Sequence, residues 1–214
     1  MPYPMRQCFE GTVLHVVTRG DNRERIFVND IDRRGFLHAL QTYATDFRIS
    51  ILAYALMPNH IHLIARQNGT DTLSRFMHSL TIKYTKYFNK QYSRVGHVFQ
   101  GRFRSRVIET DSYLLVASRY VHLNPVKAGL ADHPLRYSWS SYKVYAEGTE
   151  THSLVDCDLI LGLMGTDRAQ QRLRYRDFVE TPWPQQSRHP VEDHQLHEAW
   201  NAWLGGPTGL RVGI

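Results

Sequence analysis

Residues 49–66 read Ile49-Ser50-Ile51-Leu52-Ala53-Tyr54-Ala55-Leu56-Met57-Pro58-Asn59-His60-Ile61-His62-Leu63-Ile64-Ala65-Arg66. Two apolar, strand-like runs are separated only by Pro58-Asn59, a pair suited to a tight connection between antiparallel neighbours. The pattern predicts strands over 49–57 and 60–66. Upstream, Thr12-Val13-Leu14-His15-Val16-Val17-Thr18 is rich in β-branched residues, as a buried strand should be, and Arg19-Gly20-Asp21-Asn22 is turn chemistry. Between these strands, Phe36, Leu37, Leu40, Tyr43, Ala44 and Phe47 recur at helical spacing. Downstream, Leu73, Phe76, Met77, Leu80, Tyr84, Tyr87 and Phe88 do the same, while Lys83, Lys86 and Lys90 fall mostly off the stripe. The alternation over 103–109 predicts a fourth strand. Asp111 or Ser112 is then placed to cap a helix that ends near Asn124, before Pro125.

The order is βαββαβ plus a helix, so the expected class is α+β, a ferredoxin-like antiparallel sheet with two helices on one face. The additional helix, which carries the catalytic candidates, is expected on the other face. Beyond residue 145 the signals weaken. A helix is expected over 167–180 and another over 192–204, separated by Pro182, Pro184 and Pro190. The division expected is a domain over 1–145 and a partly helical, flexible appendage over 146–214.

Composition narrows the function. The apolar runs fall well short of the roughly 18 residues of a membrane span, and the first residues lack the apolar core of a signal peptide. These features predict a soluble cytoplasmic protein. Cys8 and Cys157 are two thiols far apart, which fits neither a disulfide framework nor a cysteine zinc site. The formal net charge is +6, and the excess is concentrated. Arg75, Lys83, Lys86, Lys90, Arg94, Arg102, Arg104 and Arg106 lie in a stretch with no Asp or Glu. Such a block suits a nucleic-acid backbone, although the three lysines are read equally well as a solvated helix face.

Two patterns carry candidate chemistry. His60-Ile61-His62 lies on a strand, where residues two apart share a face, so both imidazoles can reach one divalent ion. With 12 histidines in 214 residues, that pair alone is weak evidence of a metal site. Tyr120 and Asn124 stand four apart on the last helix and share its face. Each is ordinary alone. Together they supply what phosphodiester cleavage by a protein nucleophile needs: Tyr120 as nucleophile, and an ion on His60, His62 and the Asn124 amide to neutralise the phosphate.

The chain resembles the REP-associated tyrosine transposases of the single-tyrosine HUH superfamily over roughly residues 10–145. The resemblance rests on five ordered blocks. They are His15-Val16-Val17-Thr18-Arg19-Gly20, Met57-Pro58-Asn59-His60-Ile61-His62-Leu63, Gly96-His97-Val98-Phe99-Gln100-Gly101-Arg102-Phe103, Arg119-Tyr120-Val121-His122-Leu123-Asn124-Pro125-Val126-Lys127-Ala128-Gly129 and Trp139-Ser140-Ser141-Tyr142. The resemblance implies a magnesium or manganese cofactor and a single-stranded DNA partner bearing a REP-like hairpin. It also implies cleavage through a 5′-phosphotyrosine with release of a 3′ hydroxyl, by a monomer or homodimer. Arg19, Asn22 and Arg23 after the first strand, with Lys83, Lys86, Lys90, Arg94, Arg102, Arg104 and Arg106, are the expected DNA contacts. His122, on another helical face from Tyr120, is expected to be structural. The competing readings are a binding module that holds nucleic acid without cutting it, a replication-initiator or relaxase-type nuclease, and a zinc hydrolase using water.

Overall fold

The computed structural model describes residues 9–70, 72–148 and 154–182. The chain runs β1 (Val13–Arg19), α1 (Asp30–Asp46), β2 (Ile49–Met57), β3 (His60–Gln67), α2 (Thr72–Gln91), β4 (Arg104–Ile108) and α3 (Asp111–Lys127). The strands form one sheet in the order β2-β3-β1-β4, with every pairing antiparallel. This is the ferredoxin-like α+β arrangement expected from the sequence.

Side-chain alternation divides the core in two. Leu14 and Val16 of β1 and Ile61, Leu63 and Ala65 of β3 face α1 and α2, where they meet Phe36, Leu40, Phe76, Leu80 and Tyr84. Ala53, Ala55 and Met57 of β2 and Ile64 of β3 face α3 instead, beside Leu114, Ala117 and Val121. With both faces covered, β2 and β3 are buried along most of their length. That double burial is why their sequences read as continuous apolar runs.

Thr110, not Asp111 or Ser112, caps α3, its side chain accepting from the Tyr113 amide. The helix also does not stop at Asn124; it continues through Pro125 to Lys127. A proline in the last turn removes a single backbone bond. The turn is closed instead by the amides of Ala128 and Leu130, which donate to the carbonyls of Asn124 and Pro125. Asn124 is therefore held in helical register one turn beyond Tyr120.

Packing continues past residue 145. α4 (Tyr142–Glu147), α5 (Asp158–Gly162) and α6 (Arg168–Glu180) follow α3. Their Tyr142, Tyr145, Ile160, Leu161, Tyr175 and Val179 join the cluster that contains Ala117 and Val121. The boundary expected at 145 thus falls inside a shared core, and the helix expected over 167–180 is α6. The sequence hid this because α4 and α5 are too short to show a period. The helix expected over 192–204 and Cys8 lie outside the described residues. Cys157 is a buried free thiol in the second core, its pKa pushed up to about 11 mainly by burial. No helix among the described residues is long and apolar enough to cross a membrane.

A buried hydrogen-bond chain ties α6 to α3. The Tyr54 amide donates to Ser141 Oγ at 2.9 Å, and Ser141 Oγ lies 2.8 Å from His122 Nε2. His122 Nδ1 lies 2.8 Å from the Tyr175 hydroxyl, which donates to Ser118 Oγ at 2.9 Å. One assignment of protons satisfies every member, which makes the chain stabilising rather than costly in a dry interior. His122 is thus structural, as expected.

Candidate active site

The α3 face of the sheet carries the candidate residues. Residues paired across strands share a face. Three rows are therefore fixed by register: Met57, His60 and Arg19; Ala55, His62, Val17 and Arg104; and Ile64, His15 and Arg106. α3 lies over these rows and brings Tyr120 down onto them. The Tyr120 ring centroid is 5.6 Å from that of His62 and 6.1 Å from that of His15, and the His60 and His62 centroids are 4.9 Å apart. The Asn124 side chain reaches both His60 and Tyr120, acting on the proton affinity of each. The structure therefore brings together His60, His62, Tyr120 and Asn124.

Each of the two β3 imidazoles is anchored through one nitrogen. His60 Nδ1 lies 2.7 Å from Asn59 Oδ1, and His62 Nδ1 lies 3.0 Å from His15 Nε2. The Nε2 atoms of His60 and His62 are buried and make no hydrogen bond. Burial, with the Arg19 charge next, pushes His60 down to about 4, while Asn124 works the other way. Burial, followed by His60 and His15, holds His62 well below the usual histidine range. Both are neutral imidazoles at physiological pH, the form that ligates metals.

Two buried imidazole nitrogens without a hydrogen-bond partner, with an amide oxygen within reach, are a set of groups that fits a divalent cation. Among the described residues no group of three His, Cys, Asp or Glu forms a metal cage. The third donor available here is thus the Asn124 amide. Tyr120 is half-buried, and burial raises its phenol above the usual value, with the Asn124 hydrogen bond opposing. It is a protonated phenol at neutral pH.

The ten expected DNA contacts separate by position. Arg19, Arg104 and Arg106 lie on the same sheet face as His60 and His62. Arg19 donates from Nε and Nη2 to Gln100 Oε1, and its pKa is lowered by burial and then by Arg23 and Arg104, so these charges form one cationic rim beside His60. Asn22 and Arg23 form a tight turn with φ of 47° and 61°, and the Arg23 carbonyl accepts from Asn59 Nδ2 at 3.1 Å. Lys83, Lys86 and Lys90 are exposed on α2, whose buried stripe covers the opposite face of the sheet, so they are not brought to the site. Arg94 is paired with Glu24 at 2.7 Å. Arg102 lines a groove of about 360 Å³ with Arg75, His78, Thr81 and Phe103.

Two residues of the site escaped the sequence reading. Lys127 stands two turns beyond Tyr120, and its ammonium lies 5.4 Å from the centre of that ring. The spacing of seven was a visible signal. His15 had no such signal, because its place beside His62 depends on the register of β1 against β3.

A structure of a REP-associated tyrosine transposase bound to a REP hairpin is similar to this chain at 21% identity, covering 74% of this chain and 90% of that one with a TM-score of 0.57. At that identity the likeness is one of fold. A putative transposase from Deinococcus radiodurans R1 matches at 13% identity over 54% of this chain and 92% of that one, with a TM-score of 0.40, too low to carry weight. No curated protein matches. The family model described as transposase IS200 like matches residues 8–124, more than half of the 214 residues. The chain belongs to the IS200-like transposase family.

Proposed function

We propose that this transposase cuts and rejoins single-stranded DNA beside a REP-like hairpin, with Tyr120 as nucleophile and His60, His62 and Asn124 as the holders of Mg²⁺ or Mn²⁺. The observation that carries the reading is the pair of buried, unbonded Nε2 atoms of His60 and His62 on the face covered by Tyr120. A bound divalent ion would supply charge neutralisation at the scissile phosphate and at the leaving oxygen. A single chain provides all four residues, which favours a site complete within one monomer.

The Tyr120 oxygen attacks the scissile phosphorus, the bond from phosphorus to the 3′ oxygen breaks, and the phenol proton is lost as the leaving oxygen gains one. The product is a 5′-phosphotyrosine and a free 3′ hydroxyl. Attack by a DNA 3′ hydroxyl reverses the step and restores the phenol, so no nucleotide cofactor is needed. Arg19 and Arg104, on the same sheet face as His60 and His62, would neutralise the flanking phosphates, and the charge of Lys127, over the Tyr120 ring, would favour the phenolate. The raised Tyr120 pKa keeps the nucleophile protonated until substrate is in place.

The test is incubation with labelled single-stranded hairpin DNA. A denaturation-resistant protein–DNA adduct that requires Mg²⁺ or Mn²⁺ and disappears with EDTA supports the reading. Binding without an adduct across a panel of hairpins would favour a binding module. Cleavage without an adduct would favour hydrolysis by water.

A further inference from the structure

We infer that Asn59 and His15 are positioning residues that fix the tautomers of His60 and His62, so that both Nε2 lone pairs point into the site before any ion arrives. The inference rests on the proposed metal-binding role of the two histidines and names the groups that make them ligands.

For His60 the assignment follows from a chain of three groups. Asn59 Nδ2 donates to the Arg23 carbonyl at 3.1 Å, and only the NH₂ end of the amide can do so. Its other end, Oδ1, therefore faces His60 Nδ1 at 2.7 Å. An amide oxygen carries no proton, so Nδ1 of His60 must, which leaves Nε2 as a bare lone pair. The turn that aims the Arg23 carbonyl uses left-handed backbone at Asn22 and Arg23, a conformation L residues seldom adopt. It also needs Gly20, whose missing Cβ would lie 2.2 Å from the Glu24 carbonyl oxygen. A strained loop well outside the coordination shell is thus shaped to hold one amide.

For His62 the partner is another imidazole. His15 Nε2 and His62 Nδ1 are 3.0 Å apart, and both rings are fully buried. Two neutral rings at this distance have two arrangements. If His15 donates, His62 carries its proton on Nε2 and cannot ligate. If His62 donates from Nδ1, its Nε2 is free for an ion. The second puts the His15 proton on Nδ1, and it is the arrangement in which the buried His62 Nε2 offers a lone pair to an ion, as the proposed metal role requires. His15 also packs against Tyr120, with ring centroids 6.1 Å apart. One side chain thus sets both a ligand and the wall behind the nucleophile. Partners of this kind orient ligands, and losing one typically weakens metal binding by about 10- to 100-fold.

Nitrogen-15 spectra of the imidazoles in metal-free wild-type protein read the tautomers directly. The expected result is a proton on Nδ1 of both His60 and His62; a proton on Nε2 of either ring overturns the inference. The second arm is Mn²⁺ affinity measured by calorimetry without DNA. His15→Phe, which fills the space without accepting, should lose about 10- to 100-fold, and His15→Gln, which restores an acceptor oxygen, should recover most of it. Equal losses in both variants at equal thermal midpoints overturn the role of His15. Wild-type protein that shows the Nδ1–H tautomers but binds no Mn²⁺ would instead refute the metal reading of the site.

Discussion

Arg119, the residue before Tyr120, donates from Nε to the Phe178 carbonyl at 2.8 Å and from Nη2 to the Thr181 carbonyl at 2.9 Å. These oxygens end α6, where a helix presents its negative pole, so the guanidinium binds α6 to the helix that bears the nucleophile. The last described part of the chain is thereby a brace for α3.

That brace is measurable. Arg119→Met removes two charge-assisted bonds and is expected to lower unfolding free energy by about 1–3 kcal/mol in denaturant titration. Tyr175→Phe, which strips a hydroxyl bonded to His122 and Ser118, is expected to cost a similar amount. Unchanged midpoints in both variants would show that α6 does not support α3.

Acid sensitivity follows from His122. Burial pushes it down to about 3 in the folded protein, against 6.5 when unfolded. The unfolded chain therefore binds the extra proton. Stability is full above pH 6.5 and falls as pH drops toward 3, by about 1.4 kcal/mol per pH unit for this residue. His122→Phe should be less stable at pH 8 yet show a shallower decline below pH 6. Parallel stability curves for the two proteins would contradict a neutral buried His122.

The raised Tyr120 pKa predicts the direction of the rate profile. Because the phenol is protonated at neutral pH, single-turnover cleavage should accelerate with rising pH between 7 and 9. A rate that falls over that range in stopped-time assays would argue against loss of the Tyr120 proton on the way to the transition state.

Position on the sheet separates the cationic residues. Arg104→Ala should weaken binding of single-stranded DNA and lower the slope of log K against log salt by about 0.7 for each phosphate it ceases to neutralise. A variant with Lys83, Lys86 and Lys90 all changed to Ala should keep the wild-type slope. Fluorescence anisotropy at several salt concentrations measures both, and a larger loss in the lysine variant would move the DNA path to α2.

Much of this was legible in the sequence because it is local. Period two along β3 puts His60 and His62 on one face, and a spacing of four puts Tyr120 and Asn124 on another. The continuous apolar run of β2 and the stripe of α2 likewise follow from neighbours along the chain. What was hidden depends on the meeting of distant segments. The His15–His62 bond needs the register of β1 on β3. The sorting of Arg104 from Lys86 needs to be read from which face each element covers. The shared core of α3 and α6 arises from Tyr175 and Val179 meeting Val121, which no local period announces. Pro125 misled because its bias against helix is decided by tertiary packing in a last turn where only one bond is lost.

The central claim is that Tyr120 becomes covalently joined to DNA, and peptide mass spectrometry of the reaction with hairpin DNA and Mg²⁺ tests it most directly. The account predicts a 5′-phosphodeoxynucleotide on Tyr120 in the wild-type protein and no adduct in Tyr120→Phe. An adduct mapped to another residue, or one that persists in Tyr120→Phe, would contradict it.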